Sequence, residues 1–196
     1  MKNLPLILAL LVLLATAAGA VVDPDTNRMS IYFDTDATIY ELHVSPYQVV
    51  SAYVVLTRPD FPSLHGYEFS YEITGNQTVV EQIAYGPKPL LDVGTIGTVT
   101  QMLGVPYATT EATVLMEIQV FLLDANAVLF KLLGPENDTI PGWNGPLTWV
   151  ESKPLAIQTT FLDPNGNEPG ICAAINASDP QPTVEAAWGD VKSLYR

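Results

Sequence analysis

Oxygen-bearing side chains alternate along the stretch DPNGNE in the C-terminal third of the chain. Asp163, Asn165 and Asn167 each offer a carboxylate or amide oxygen, the ligand type that Ca²⁺ prefers, at the spacing of the first, third and fifth positions of a calcium loop. However, the glycine comes too early for such a loop, and Ala174 stands where a closing glutamate is expected. Calcium is the one cofactor that the sequence offers, and a Pro-Asn-Gly turn is the alternative.

Aromatic side chains beside loops form a second set of candidates. Trp143 and Trp149 lie in the stretch PGWNGPLTW, and Tyr85 directly precedes a Gly-Pro break. Exposed aromatic rings in a row would stack against sugar rings. We therefore take Trp143, Trp149 and Tyr85 as the candidate ligand-binding residues. The alternative is that the rings cover the core, because a large aromatic side chain gains most by burial.

No arrangement of residues in the sequence predicts catalysis. The chain has two histidines, His43 and His65, and no Gly-x-Ser-x-Gly, Ser-x-x-Lys or His-Glu-x-x-His pattern. Glu68 and Glu72 share one face of a predicted strand but would lie about 13 Å apart, beyond the separation that glycosidases use. The alternation around them predicts a solvated sheet face. We expect a protein that is not an enzyme.

The elements that must position these residues are β-strands. In GYEFSYEI, Tyr67, Phe69 and Tyr71 alternate with polar residues, which predicts a half-buried strand over 66–73. A hairpin partner is expected over 78–85. A second hairpin is predicted from 112–123 and 127–133 around Asp124-Ala125-Asn126, with a helical hairpin as the alternative. Further strands are predicted over 30–33, 37–44, 47–57, 90–93, 98–105, 147–151 and 155–162. This pattern predicts an all-β fold, an antiparallel β-sandwich.

The ends of the chain have their own signatures. Residues 1–20 read as a secretory signal peptide, with Lys2 before an apolar run and small residues leading to cleavage near Ala20. The sequence thus predicts a secreted protein, extracellular or at the cell surface. A flexible lead-in is expected over 21–28, the sandwich over 29–178, and a linker with a short helical tail over 179–196. The lone Cys172 has apolar neighbours, which favours burial over pairing with another chain.

The sign and size of the net charge of the chain argue against two classes of binding partner. The formal net charge is −13, and removing residues 1–20 takes away one lysine and no acid, which gives −14. Such a field repels phosphate backbones and anionic headgroups, so nucleic acid and anionic membranes are not expected as partners. After residue 20 the sequence has no apolar run long enough to span a bilayer.

Several motifs together resemble a known domain type. IYFD at 31–34, YVVLTRP at 53–59, GYEF at 66–69 and the paired segments within 112–132 follow one another in the order of cohesin-like domains of secreted bacterial proteins. Those domains share a jelly-roll β-sandwich with certain carbohydrate-binding modules. The C-terminal WGDVKSLYR at 188–196 is similar to a Trp-Gly-x-x-Lys-x-Leu-Tyr-Arg tail of uncharacterised secreted bacterial proteins.

The resemblance implies a jelly-roll sandwich that binds a protein partner or assembles surfaces without catalysis. It carries over no binding residues, because no motif for gripping a partner is matched. We therefore expect a secreted, non-catalytic binding or structural module. The alternatives are a carbohydrate-binding module that uses the loop aromatics on a glycan, a hydrolase with an unrecognised site, and a fimbrial or filament subunit with an open sheet edge.

Overall fold

The computed structural model describes residues 23–135, 139–161 and 170–177, which form thirteen strands. The predicted signal peptide, the calcium-loop residues Asp163, Asn165 and Asn167, and the tail over 179–196 lie outside the described residues. The strands are β1 Arg28–Tyr32, β2 Glu41–Leu42, β3 Val49–Thr57, β4 Ser63–Thr74, β5 Gln77–Ala84, β6 Pro89–Asp92, β7 Thr98–Ala108, β8 Ala112–Leu122, β9 Val128–Leu133, β10 Leu147–Val150, β11 Lys153–Ala156, β12 Gln158–Thr159 and β13 Ile171–Ile175.

Two sheets face each other across one core. The five-stranded sheet has the order β12-β1-β3-β8-β5. The eight-stranded sheet has the order β11-β10-β4-β9-β13-β2, in which β10 and β9 share one edge of β4. The opposite edge of β4 pairs with β7, and β6 pairs with β7 in turn. The all-β sandwich predicted from the sequence is confirmed. Within the described residues no helix is long and apolar enough to cross a membrane.

The core is filled by alternate side chains of the long strands. From the eight-stranded sheet, Tyr67, Phe69 and Phe130 are fully buried, which confirms the inward face predicted for β4. From the five-stranded sheet, Val54 and Ile118 meet them and are also fully buried. β-Branched and aromatic residues dominate these strands, because such side chains pack well on a pleated surface.

The prediction of a purely antiparallel sandwich is wrong at two short pairings. β12 runs parallel to β1, with Arg28 opposite Gln158, and β2 runs parallel to β13, with Leu42 opposite Ile175. Each pair joins segments far apart in the sequence. The alternation within a strand carries no information about the direction of such a distant partner, so both sheets are mixed.

Both predicted hairpins are wrong in their pairing, although the strands themselves are confirmed and the helical alternative for 112–133 is excluded. β5 does not pair with β4 but with β8 in the opposite sheet. The edges of β4 are taken by β7 on one side and by β9 and β10 on the other. Likewise, β8 pairs with β3 and β5, whereas β9 pairs with β4 and β13.

The two turns therefore carry the chain across the sandwich instead of folding it back. They stabilise each other at one end of the molecule. The Leu123 N–H donates to the Asn76 carbonyl over 3.0 Å, and the Asn76 side-chain amide donates to the Asp124 carboxylate over 2.8 Å. Gly75 has φ +118°, and a Cβ there would meet the Ala127 carbonyl at 2.5 Å, so this crossing requires glycine.

Two other predicted strands are shorter than expected. Of the strand predicted over 37–44, the structure keeps only Glu41–Leu42. The carboxylate of Asp34 accepts hydrogen bonds from the backbone N–H groups of Thr38 and Ile39, which folds this region into a loop. The strand predicted over 155–162 is divided between the sheets as β11 and β12, and the buried Ile157 stands between them.

The N-terminal segment and the lone cysteine both contact the sandwich. In the lead-in predicted over 21–28, Asp23 is buried and accepts a hydrogen bond from the Thr160 hydroxyl, and Arg28 already belongs to β1. Cys172 in β13 is a free, fully buried thiol. Its burial confirms the preference drawn from its apolar neighbours.

Candidate functional site

Trp149 lies on the outer face of the eight-stranded sheet, against a buried carboxylate. The Trp149 indole N–H donates to Glu68 over 2.8 Å, and the Thr139 hydroxyl donates to the other carboxylate oxygen over 2.8 Å. Glu68 is only 5 % exposed, so the prediction that it lies on a solvated face is wrong, although Glu72 on the same face is exposed.

The burial of Glu68 has a tertiary cause. After β9 the chain returns over the outer face of the sheet, where the Ser70 hydroxyl donates to the Gly134 carbonyl. The Gly134 N–H in turn donates to the Asn144 carbonyl over 2.9 Å. The loop that contains Thr139 and Asn144 therefore covers Glu68 but not Glu72.

Trp143 belongs to the same covering loop and is half-buried. Its indole N–H donates to the Pro146 carbonyl over 3.0 Å. The ring packs over Gly145, where a Cβ would meet ring atom Cζ2 at 2.6 Å. The indole N–H groups of Trp143 and Trp149 are thus both hydrogen-bonded within the protein, and both residues are only partly exposed to solvent.

Tyr85 lies on the opposite surface, the outer face of the five-stranded sheet. Its hydroxyl donates to Glu117 Oε2 over 3.0 Å. The other oxygen, Oε1, accepts from the Ser51 hydroxyl over 2.7 Å and from the Gln119 amide over 3.0 Å. Tyr53 stands directly opposite Glu117 on β3. We call these five residues the Glu117 patch.

The hydrogen bonds of the Glu117 patch set its protonation. Donation from Ser51, and to a smaller extent from Gln119 and Tyr85, lowers the pKa of Glu117 below its ordinary value, against an opposing effect of burial. The same contact raises the pKa of Tyr85, because its hydroxyl proton is held by the carboxylate. At neutral pH the patch is therefore an ionised carboxylate, 8 % exposed, beside two tyrosines.

The candidate residues do not converge on one surface. Trp149 and Glu68 point away from the core on one side of the sandwich, and Tyr85 and Glu117 point away on the other. The three predicted aromatic residues thus do not form one stacking platform. The two buried glutamates are separated by the core and do not form a general acid–base pair.

The histidines are engaged in local contacts. His65 Nδ1 accepts the backbone N–H of Glu151 over 3.1 Å, and His43 Nε2 lies 3.8 Å from the Glu41 carboxylate. Among the residues that the structure describes, no group of three or more His, Cys, Asp or Glu side chains is placed to hold a metal ion.

A surface that the sequence reading missed lies on the β6–β7 hairpin, residues 89–108. Five of the thirteen large apolar side chains exposed in the described chain lie here, and Lys88 and Asp92 are the only charged residues between 86 and 108. The most exposed is Leu90, at 81 %. The five side chains are Leu90, Leu91, Val93, Ile96 and Val105.

The hairpin holds these side chains on an ordered backbone. At its tip, Thr95 and Thr98 exchange two backbone hydrogen bonds of 2.9 and 3.0 Å around Ile96 and Gly97. The Gly97 carbonyl also accepts the backbone N–H of Tyr71 over 2.8 Å, which ties the tip to β4. Ile96 is 69 % exposed on this fixed turn, so its exposure does not come from a loose loop.

Local signals for both surfaces are present in the sequence. Glu117 is the single charge in the apolar run ATVLMEIQVFL, and a lone charge in such a run requires partners. The stretch LLDVGTIGTV combines apolar residues with a glycine turn, which is typical of an exposed apolar hairpin as well as of a buried one.

No protein-family model and no curated protein matches the sequence. Solved structures match the fold. The sixth cohesin of scaffoldin B from Acetivibrio cellulolyticus, solved in complex with a Cel5 dockerin mutant, aligns with a TM-score of 0.51 at 12 % identity, over 79 % of this chain and 100 % of that one. A type II cohesin from the cellulosome of the same organism aligns with a TM-score of 0.51 at 9 % identity, over 78 % of this chain and 96 % of that one.

This chain has the cohesin fold. The resemblance drawn from its motifs is therefore confirmed at the level of architecture, while the WGDVKSLYR tail lies outside the described residues. At such low identity the cohesin fold places strands and does not assign binding residues. A functional surface must be argued from this chain's own side chains.

Proposed function

We propose that this protein is a non-catalytic binding module that acts outside the cytoplasm and docks a partner protein on its β6–β7 hairpin. The observation that carries the proposal is the exposed apolar set on that hairpin. Apolar side chains concentrated at a sheet edge mark an interaction surface, because exposed edges otherwise favour aggregation. The cohesin of scaffoldin B that shares the fold is itself bound to a protein, a dockerin.

The apolar surface of the hairpin and the net charge of the whole chain indicate what kind of partner would bind. An apolar surface around Leu90 and Ile96 requires an apolar counterpart that excludes water from both. The net charge of −13 favours a partner with basic residues around that counterpart and speeds their encounter. The signal peptide predicted over 1–20 supports binding of this partner outside the cell.

The proposal is tested by aspartate substitutions on the hairpin. The double variant Leu90→Asp/Ile96→Asp places charges at two exposed positions, so it leaves the core intact while breaking an apolar interface. Val80→Asp is the matched control, because Val80 is 56 % exposed on β5, outside the hairpin. Proteins captured from the extracellular fraction of the source organism are compared among the three baits.

We expect the unmodified protein and Val80→Asp to retain the same partner and the hairpin variant to lose it. Hydrogen exchange on the purified complex should then show protection concentrated in residues 89–108. Equal capture by all three baits would contradict the proposal. Retardation in polysaccharide gels that Trp149→Ala abolishes would favour the glycan alternative instead.

A further inference from the structure

The Glu117 patch places a carboxylate beside two tyrosines on the outer face of the five-stranded sheet. Glu117 lies on β8, between β3 and β5, with Tyr53 opposite it on one side and Ile83 on the other. Tyr85 follows directly after β5 and reaches the same carboxylate. Both tyrosines are half-buried, so part of each ring faces solvent next to Glu117.

The carboxylate has hydrogen bonds but no counter-charge. In the described part of the chain, neither of the two ion pairs, Arg28 with Asp25 and His43 with Glu41, involves Glu117. The strand that carries Glu117 and the two that flank it, β8, β3 and β5, contain no lysine, arginine or histidine, and β5 adds a second acid, Glu81. The cation within the other strands of this sheet is Arg28 on β1, and its side chain pairs with Asp25. A cation that reaches this carboxylate would add a charge-assisted hydrogen bond, which is roughly twice as strong as one between neutral groups.

We propose that the Glu117 patch receives a lysine or arginine side chain of the partner protein. Three donors occupy three of the roughly four acceptor positions of the carboxylate, and the open one is on Oε2, beside Tyr85. An ammonium or guanidinium group there would complete the hydrogen bonding of Glu117. It would also lie beside Tyr53 and Tyr85, whose aromatic rings attract a cation that reaches their faces.

A hard metal ion fits this patch less well. Ca²⁺ takes six to eight oxygen ligands, and one carboxylate with three of its acceptor positions filled supplies too few. The assignment of the cation to a partner protein rests on the proposed function. The patch lies on the outer face of the five-stranded sheet, so its chemistry is tested without the hairpin.

The experiment is a titration of the ¹⁵N-labelled protein with small probes at constant ionic strength. The cationic probes are the N-methylamides of Nα-acetyl-lysine and Nα-acetyl-arginine. The control probe is the N-methylamide of Nα,Nε-diacetyl-lysine, which has the shape of the lysine probe without its charge. Glu72→Gln is the matched control for Glu117→Gln, because Glu72 is an exposed carboxylate on the other sheet.

We expect saturable shifts of the Ser51, Tyr53, Tyr85, Glu117 and Gln119 amides with the cationic probes and not with the control probe. Glu117→Gln should weaken binding about tenfold, the effect of losing one charged contact. Tyr53→Leu should weaken binding about threefold, while Glu72→Gln should leave it unchanged.

Three results would overturn the assignment. The first is that no amide shifts at cationic probe concentrations up to about 100 mM. The second is that weak shifts are spread over all acidic strands and are the same in Glu117→Gln. The third is that a neutral oligosaccharide shifts the amides of the patch and the cationic probes do not. The comparison between charged and uncharged probes uses the unmodified protein, so it holds even if a variant fails to fold. The hairpin variant should bind the probes normally, so failure of either proposal is recognised separately.

Discussion

The indole N–H of Trp149 donates a 2.8 Å hydrogen bond to the carboxylate of Glu68, on the outer face of the eight-stranded sheet. The two residues are 81 positions apart and meet because β10 pairs with β4, with Trp149 opposite Gly66 and Leu147 opposite Glu68. The Trp149 ring, which the sequence analysis selects as a candidate for ligand binding, is thus already hydrogen-bonded to a buried carboxylate. We therefore assign this contact a role in the stability of the fold.

Removal of the Glu68 carboxylate should destabilise the protein. Glu68→Ala leaves the Trp149 indole N–H and the Thr139 hydroxyl without an acceptor in a covered site, and we expect a loss of about 1–3 kcal/mol in the free energy of unfolding. Urea unfolding measures it. Glu72→Ala on the same strand is exposed and should change stability by less than about 0.5 kcal/mol. Equal losses in both variants would disprove the buried contact.

The hydrogen bonds of the Glu117 patch should make stability depend on pH at both ends of the scale. At the acidic end the carboxylate is stabilised by donation from Ser51 first and then from Gln119 and Tyr85, and at the basic end the Tyr85 hydroxyl is held by Glu117. The pKa of Glu117 is lower in the folded state, so its stabilising contribution is complete above its ordinary value of 4.5 and is lost as the pH falls through the lowered pKa. The pKa of Tyr85 is higher in the folded state, so its contribution is complete below 10.0 and is lost as the pH rises through the raised pKa.

Urea unfolding of the unmodified protein and of Tyr85→Phe between pH 3 and pH 11 tests this dependence. The difference in stability between them should be largest near neutral pH and shrink toward both extremes. A difference that is constant across the range would show that the hydroxyl does not contact the carboxylate.

Gly66 lies opposite Met102, at a position on β4 that has no room for a Cβ beside β7. A Cβ at Gly66 would lie 2.6 Å from the Gln101 carbonyl and 2.7 Å from the Met102 sulfur. Gly66→Ala should therefore cost about 1–3 kcal/mol in the free energy of unfolding, because the paired backbones must separate. Gly104→Ala is the control on β7, since its nearest neighbour would be 3.9 Å away. Thermal unfolding that ranks Gly104→Ala below Gly66→Ala would contradict this packing.

The thiol of Cys172 should be inert in the native protein. It is fully buried, and burial raises its pKa to about 11, so little thiolate exists at pH 8. We expect its reaction with a colourimetric disulfide reagent to be at least about a hundredfold slower in buffer than in guanidinium, because the strand must open first. Non-reducing electrophoresis should show no linked dimers. Rapid labelling of the native protein would refute the burial.

Strands could be predicted from the sequence because side-chain alternation is a local property. The alternation in GYEFSYEI fixes which side of β4 faces the core, whichever strand pairs with it. The same holds for 112–123 and 127–133, where β-branched and aromatic residues favour extended backbone over helix. Each of these segments is a strand in the structure.

Strand partners could not be predicted, because pairing depends on which edges the rest of the chain leaves free. Asp124-Ala125-Asn126 is as compatible with a crossing between sheets as with a hairpin, and only the occupied edges of β4 and β8 decide between them. The same limit applies to the parallel contacts of β1 and β2, whose partners lie more than a hundred residues away.

The candidate surfaces show the same division. Alternation alone determined that Glu68 and Glu72 share the outer face of β4, but a returning loop covers the first and leaves the second exposed. Tyr85 was selected from its place beside a Gly-Pro break, and its acceptor, Glu117, comes from a strand 32 residues later. Local pattern thus decided what each segment is, and long-range packing decided what each side chain contacts.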